Sequence, residues 1–109
     1  MNKLKSIKDF IDYLDFQSDD TFALRVEDDG MTGAGVLQGD LVVVQRAAAA
    51  KEGEMVVALI GKDKAILRFL RKREERYYLD PVSSKYKSIQ VNEDVSLVGK
   101  VIRVIRVFA

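Results

Sequence analysis

The stretch FALRVEDDGMTGAGVLQGDLVVVQR, from Phe22 to Arg46, decides how this chain is expected to fold. It begins and ends with short runs of apolar and β-branched residues, joined by a segment rich in glycine and acidic residues. Similar short runs follow along the chain, each bounded by charged or glycine-containing clusters, as is typical of antiparallel strands. We therefore expect a mostly β fold with strands at Phe22–Val26, Leu41–Gln45, Glu54–Ile60, Ala65–Arg71, Tyr77–Leu79 and Leu97–Phe108.

The residues before this stretch follow a different period. Apolar residues recur at helical spacing from Leu4 to Leu14, with charged residues between them, which predicts one short amphipathic helix within residues 1–16. Charged clusters at Gly61–Lys64 and Lys72–Arg76 predict hairpin connections, because a turn must meet water. The middle of the chain should therefore be a β-meander.

Composition limits the class of protein. The chain has 109 residues, of which 48% are apolar, so we expect a single domain over 1–109, with a helical lead-in at 1–16 and a β core at 22–108. The low-complexity run Ala47–Ala50 is too short for a stable helix and is interpreted as a connector. A formal charge of +1 gives no global attraction to nucleic acid or membranes.

The absence of two residue types excludes several chemistries. The sequence contains no cysteine and no histidine, so disulfides, thiolate nucleophiles and the usual zinc ligands are excluded. The N-terminal residues interrupt their apolar positions with charges and resemble neither a signal-peptide core nor a membrane span. We expect a cytoplasmic protein that has no cofactor and no membrane contact.

The closing run has two interpretations. Its cationic residues recur every three positions, as on a helix face, but its β-branched content favours a strand. On a regular strand, one face would hold Arg103 with Val101, Ile105 and Val107. Both faces would then be mostly apolar. Such a strand is either central in the fold or covered on one side by a partner chain, and the sequence leaves both open.

Five pieces in a fixed order carry a family resemblance. After Phe22–Arg46 come GEMVVALI at Gly53–Ile60, AILRFL at Ala65–Leu70, LDPVSSKYKSI at Leu79–Ile89 and VGKVIRVIR at Val98–Arg106. Together they resemble the LexA/UmuD family of self-cleaving serine peptidases. The resemblance implies a LexA/signal-peptidase-like β domain, and for family members a serine nucleophile activated by a neutral, desolvated lysine.

The resemblance places residues without the needed chemistry at both catalytic positions. Gly30 takes the serine position and has no side chain, and Arg68 takes the lysine position, where a guanidinium stays protonated. The degenerate site would be surrounded by Asp28, Asp29, Met31 and Thr32, and Asp28 stands where the family usually has glycine. No Ala-Gly or Cys-Gly pair precedes Gly30, so a chain without its cleavage segment and a protein that never cleaved itself both remain possible.

Arg68 raises a structural question. If its side chain is partly buried, Asp28 or Asp29 should neutralise it and convert a catalytic pair into an ion pair. The alternative is that Arg68 simply reaches solvent. Thr32 is interpreted as a loop residue that bonds its own backbone rather than as a displaced nucleophile.

Two other clusters are weighed as sites. The basic segment from Arg68 to Arg76, with Phe69, Tyr77 and Tyr78 nearby, could contact nucleic acid, although Glu74 and Glu75 dilute its charge, and a solvated hairpin explains it as well. The acidic run Glu27–Asp29, with Asp19 and Asp20 nearby, lacks the alternating ligand spacing of a calcium loop, so no metal is expected.

The resemblance implies a catalytically inactive domain used for homodimerisation and regulation in an SOS-type repressor or polymerase accessory factor. The dimer would form through the closing strand, at Val101, Arg103, Ile105 and Val107. Possible partners are a fused or separate DNA-binding domain, a RecA filament or a polymerase, and no direct DNA binding is expected. The alternatives are an altered or shortened peptidase with an unrecognised nucleophile, and nucleic-acid contact through the hairpin 68–76.

Overall fold

A computed structural model describes residues 20–46, 49–61 and 64–108. The predicted helix within residues 1–16 lies outside these ranges. The connector predicted at Ala47–Ala50 is described in part, and its last two residues belong to neither helix nor strand. No helix in the described ranges has the length and apolar character needed to cross a lipid bilayer.

Seven antiparallel strands form one sheet. They are β1 (Thr21–Arg25), β2 (Leu41–Arg46), β3 (Met55–Ile60), β4 (Lys64–Arg73), β5 (Arg76–Asp80), β6 (Ile89–Gln90) and β7 (Val95–Ile105). Their order across the sheet is β1-β2-β7-β3-β4-β5-β6. The predicted mostly β fold is therefore confirmed. Sequence analysis missed only the two-residue strand β6, which is too short to produce an apolar run.

The hairpins of the meander form as predicted. β3 pairs with β4, and β4 pairs with β5 up to the pair Arg73 and Arg76. The two residues between them, Glu74 and Glu75, both have positive φ angles, of 52° and 68°. Positive φ at both turn positions is the geometry of a two-residue hairpin whose twist matches its strands. The strands continue into the segment predicted as a connection, which leaves a tighter turn than expected.

The sheet carries a hydrophobic core on each face, because successive residues of a strand point to opposite sides. β3 supplies both cores, with Val57 in one and Val56 and Ala58 in the other. The first cluster also contains Val26, Met31, Val36, Val42, Val44 and Leu67. The second contains Ile66, Leu70 and Leu79. β4 therefore contributes apolar side chains to both faces, and Arg68 lies among them.

Strand β7 is central for only part of its length. Residues Val95–Lys100 pair with β3 on one side, and Gly99–Ile105 pair with β2 on the other. The pairing of β7 with β3 thus ends at Lys100, whereas its pairing with β2 continues to Ile105. The prediction left open whether this strand is central or lies at an edge. Around Gly99 and Lys100 it is central, because both neighbours pair there.

Two predicted details of this strand are wrong. It ends at Ile105 instead of Phe108, because Ile105 pairs with Leu41, the first residue of β2, and no further residue of β2 remains to pair. Residues 106–108 continue without a strand partner among the described residues. The second error concerns the faces of the strand.

A β-bulge at Ile102 changes which side chains share a face. Arg103 pairs with Val43 and Val101 pairs with Val44, so one residue of β7 is left over between them. Directly paired residues lie on the same face, and adjacent residues of β2 lie on opposite faces. Val101 and Arg103 therefore lie on opposite faces of the sheet, contrary to the regular alternation assumed from the sequence.

Candidate functional site

The loop between β1 and β2 and the middle of β4 form the candidate site. The loop carries Asp28, Asp29 and Gly30 and contains a short 3₁₀ turn at Thr32–Ala34. Arg68 lies on β4 directly opposite Val56 of β3. The core residue Met31, which is 1% exposed, anchors the loop beneath the sheet. At Gly30 the loop backbone lies against the Arg68 side chain.

Arg68 is a buried charge held by a carboxylate. Its side chain is 3% exposed, and its Nη1 and Nη2 atoms each lie 3.2 Å from an oxygen of Asp28. Nη1 also donates to the carbonyl oxygen of Leu67 at 2.7 Å. The Arg68 guanidinium carbon lies 5.0 Å from the ring centroid of Tyr86, within range of a cation–π contact. The solvent-exposed alternative for Arg68 is therefore wrong.

Gly30 leaves the space that the guanidinium occupies. A Cβ atom placed on Gly30 would lie 2.4 Å from Nη1 and 2.6 Å from Cζ of Arg68, far inside van der Waals contact. The Gly30 N–H donates to Oδ1 of Asp28 at 2.9 Å, so the same carboxylate binds both residues. No side chain can be added at Gly30 unless Arg68 moves.

Asp29 has a different partner. Its carboxylate lies 2.9 Å from Nζ of Lys85, and its backbone oxygen accepts a hydrogen bond of 2.7 Å from the hydroxyl of Thr32. Hydrogen bonds from Lys85 and then Tyr86 lower the pKa of Asp29, and the same carboxylate raises the pKa values of both partners. Asp28 and Asp29 were the two candidates to neutralise Arg68. In the described structure, only Asp28 pairs with it.

The loop after β5 closes over this site. The Val82 N–H donates to the Gly30 carbonyl at 2.7 Å, and the Gly33 N–H donates to the Val82 carbonyl at 2.9 Å. A Cβ atom on Gly33 would lie 2.4 Å from Cγ1 of Val82, so this close approach requires glycine. With Lys85 and Tyr86 in place as well, the loop covers the Arg68–Asp28 pair.

Sequence analysis missed a buried carboxylate in the same loop, Asp40. Asp40 is 3% exposed and accepts hydrogen bonds from Arg106 Nε at 2.8 Å and Nη2 at 2.7 Å, and from the Leu37 N–H at 2.8 Å. The contact with Arg106 holds the pKa of Asp40 below its ordinary value. Arg106 Nη2 also donates to the Gly35 carbonyl at 2.7 Å. The only sequence feature that marks Asp40 is its position directly before the apolar run of β2.

Lys72 and Arg73 of the basic hairpin are paired with nearby carboxylates. Arg73 lies 2.7 Å from Asp80, and Lys72 lies 3.6 Å from Glu75. The pairing with Asp80 raises the pKa of Arg73 and lowers that of Asp80. Arg73 also stacks on Tyr78, so a cation and an aromatic ring that nucleic acid would need already contact each other. Among the described residues, no group of acidic side chains is placed to hold a metal ion.

The fold and the order of the sequence pieces agree with a known family. The family model described as Peptidase S24-like matches residues 2–102. The chain belongs to the Peptidase S24-like family. Gly30 and Arg68 occupy the positions that the resemblance assigns to the family's serine and lysine. The two residues lie in direct contact.

Named relatives agree with this assignment. The chain is 38% identical over 90 residues to a LexA repressor of Ruminiclostridium cellulolyticum, a match that covers 83% of this chain and 41% of the relative. It is 40% identical over 89 residues to a LexA repressor of Bacillus cytotoxicus, covering 82% of the chain and 43% of the relative. A LexA repressor of Desulfitobacterium hafniense is 36% identical over 96 residues, covering 83% of the chain and 43% of the relative. The chain thus spans about two fifths of the length of these relatives.

We expect Asp28→Asn to destabilise the fold much more than Asp29→Asn does. The first change leaves the buried Arg68 charge unpaired and should lower the free energy of unfolding by roughly 3 kcal/mol. The second removes a contact to an exposed lysine and should have a much smaller effect. Urea unfolding of the two variants beside wild type measures the difference, and equal losses would contradict the assignment of Asp28 as the partner of Arg68.

Gly30→Ser should be tolerated only when Arg68 is replaced. We expect the serine to destabilise the protein strongly beside Arg68 but far less in combination with Arg68→Lys, because a single ammonium group can move away from Cβ. A double-mutant cycle over Gly30→Ser and Arg68→Lys should give a coupling free energy of at least about 1 kcal/mol. Ala34→Ser is a matched control that places a serine at an exposed position of the same loop. Additive effects of the two changes at 30 and 68 would refute the steric coupling.

Proposed function

We propose that this chain is a LexA-like peptidase domain without peptidase chemistry, and that it serves as an association and regulatory module. The observation that carries the proposal is the Arg68 guanidinium, which fills the space next to Gly30 where a nucleophile's side chain would have to lie. The proposal places the domain in an SOS-type transcriptional repressor or a polymerase accessory factor, acting in the cytoplasm.

The loss of chemistry follows from the two residues and their surroundings. Glycine offers no nucleophile, and arginine stays protonated and cannot take a proton as a general base. Asp28 at 3.2 Å further stabilises the positive charge of Arg68. Covering of the pair by Val82 and Tyr86 also favours a structural role over a catalytic one. The competing hypothesis of an altered peptidase would need a nucleophile at a position other than Gly30.

Support for association comes from the open side of β7. The pairing of this strand with β3 ends at Lys100, five residues before the strand itself ends at Ile105. Unpaired strand edges are sites where another chain can add. Nearby, Val104 is 43% exposed and Phe108 is 86% exposed. A second copy of the chain is the proposed occupant, and the interface would include Val101, Arg103, Ile105 and Val107 as the resemblance implies.

The longer relatives support a wider arrangement. Because this chain spans about two fifths of LexA repressors, the proposal includes a DNA-binding domain, fused or separate, whose pairing this module would organise. A RecA filament and a polymerase are further proposed partners by analogy with the family. Direct nucleic-acid contact through the hairpin 68–76 is disfavoured by its internal ion pairs.

Peptide cleavage tests the loss of chemistry. We expect no hydrolysis of a peptide with an Ala-Gly bond by the wild-type chain, and no labelling by a serine-reactive fluorophosphonate. The variant Asp28→Gly, Gly30→Ser, Arg68→Lys restores the residues that the resemblance implies and serves as the matched control. Intact-mass spectrometry after incubation across neutral and alkaline pH measures both reactions. Turnover by the wild-type chain would overturn the proposal.

Association is tested by mass in solution. We expect light scattering across a dilution series to show a dimer, and Val104→Asp to weaken it by at least about tenfold, equivalent to about 1.4 kcal/mol. Leu97→Asp is the matched control, because Leu97 is 44% exposed on the same strand but lies where β3 already pairs. A wild-type chain that stays monomeric at every concentration would remove the association half of the proposal.

A further inference from the structure

The two faces of the β4–β5 hairpin differ in charge. Successive residues of a strand point to opposite sides, and directly paired residues share a side. Arg71 pairs with Tyr78, and Arg73 pairs with Arg76. Because Arg71 and Arg73 lie two residues apart on β4, all three arginines share one face. On β6 the exposed Gln90 pairs with Tyr78 and lies on the same side. These five residues form a surface that we call the arginine face.

The opposite face of the hairpin balances its own charge. It carries Lys72, whose Nζ lies 3.6 Å from a carboxylate oxygen of Glu75 and 5.7 Å from the ring centroid of Tyr77. The same face holds Leu70 and Leu79, which belong to a hydrophobic core. Glu75 dilutes the positive charge of this segment in the sequence. In the structure, it is paired with a lysine that the arginine face does not contain.

The arginine face has one carboxylate beside it, and that carboxylate is already bound. Asp80 pairs with Phe69 and therefore lies on the same side as the arginines. Its oxygens accept hydrogen bonds from Arg73 Nη1 at 2.7 Å and Nη2 at 3.0 Å, and from the Ser88 hydroxyl at 2.5 Å. The Arg73 guanidinium reaches Asp80 over the ring of Tyr78, at 4.3 Å from its centroid. Arg73 is thus neutralised within the domain.

The other two arginines have no carboxylate of their own. Arg76 is exposed and makes no hydrogen bond or ion pair with the residues that the structure describes. Arg71 stacks on Phe69 at 4.8 Å, but it too has no ion-pair partner in the described ranges. Like charges directly opposite each other on paired strands are destabilising, and Arg73 and Arg76 are such a pair. The position of Arg76 therefore does not serve the stability of the hairpin.

The stacking on this face favours carboxylates over nucleic-acid bases as a ligand. Bases bind by stacking on open aromatic rings. Here Arg71 covers Phe69 and Arg73 covers Tyr78, so neither ring is fully open. A guanidinium stacked on a ring still directs its N–H groups outward in its own plane, where two of them can bind one carboxylate. The face thus suits acidic groups that need no stacking.

The spacing of the two available arginines fits an extended peptide. Arg71 and Arg76 are diagonal neighbours across β4 and β5, and such residues lie about 7–8 Å apart. Alternate residues of an extended chain point to the same side and lie roughly 6.6 Å apart. Two acidic side chains separated by one residue can therefore reach both guanidinium groups at once.

We propose that the arginine face binds an extended, acidic segment of a partner protein in which acidic residues occupy alternate positions. Arg71 and Arg76 each bind one carboxylate of this segment, and the stack of Arg73 on Tyr78 forms the surface between them. Charge complementarity determines this choice of partner. The inference goes beyond the proposed function and depends neither on the loss of catalysis nor on the association of two copies.

Fluorescence anisotropy tests the proposal with a labelled peptide that carries glutamate at every second position. We expect wild type to bind this peptide, and to bind it more weakly as salt concentration rises. The double variant Arg71→Gln, Arg76→Gln should weaken binding by at least about tenfold, since two charge pairs are lost. Lys72→Gln is the matched control, because it removes the same charge from the opposite face and should leave binding nearly unchanged. A peptide with glutamine in place of glutamate should not bind.

Stability is measured beside binding, by urea unfolding of each variant. Arg76→Gln removes no contact between described residues, so it should unfold like wild type and still weaken binding by about threefold. This single variant keeps the test valid if the change at Arg71, which stacks on Phe69, impairs folding.

Three results would overturn the inference. The first is no binding of the glutamate peptide by wild type up to about 1 mM protein. The second is a loss of binding in Lys72→Gln as large as in the double variant. The third is tighter binding of a single-stranded oligonucleotide that depends on Arg71 and Arg76, which would make nucleic acid the ligand. Each of these results would leave the proposed association and loss of catalysis unaffected.

Discussion

A single buried positive charge constrains the candidate site. Arg68 lies in the middle of β4, between residues that fill the hydrophobic cores on both faces of the sheet. A charge in such a place costs several kcal/mol unless a carboxylate and further hydrogen-bond acceptors compensate it. Asp28 supplies two contacts and the Leu67 carbonyl a third, although Nε of Arg68 has no hydrogen-bond partner among the described residues. The position of the β1–β2 loop is thereby linked to one side chain on β4.

This constraint extends outward through the loop backbone. Asp28 accepts from the Gly30 N–H, Gly30 in turn bonds Val82, and Val82 bonds Gly33. The far end of the same loop is fixed by Asp40, which Arg106 of the closing segment binds. The loop that would carry catalysis in a peptidase therefore joins β4, the loop after β5 and the end of β7. Such connections suit a domain that must keep its shape more than one that must admit a substrate.

The sequence predicted the fold well because the strands are short apolar runs bounded by charged turns, and such runs can be recognised without tertiary information. It also predicted that Arg68 would need an acid if buried, but it could not choose between Asp28 and Asp29, which differ only in how the loop bends. The bulge at Ile102 could not be predicted, since nothing in VIRVI marks an unpaired residue. Asp40 with Arg106 was missed because the partners are 66 residues apart.

If, as proposed, this domain derives from one with a serine–lysine site, the contact between Gly30 and Arg68 limits the order in which the two positions changed. With a side chain at position 30, an arginine at 68 would have to occupy space within 2.6 Å of its Cβ, so the arginine could not adopt its present position first. Loss of the side chain at 30 opens the space, and an arginine can then fill it with an apposed carboxylate at 28. A glycine arising first would already have removed the nucleophile. On the proposal that catalysis has been lost, the Arg68–Asp28 pair fills the space that the absent side chain at position 30 leaves open, and the residues at 28, 30 and 68 are coupled because each contacts the other two.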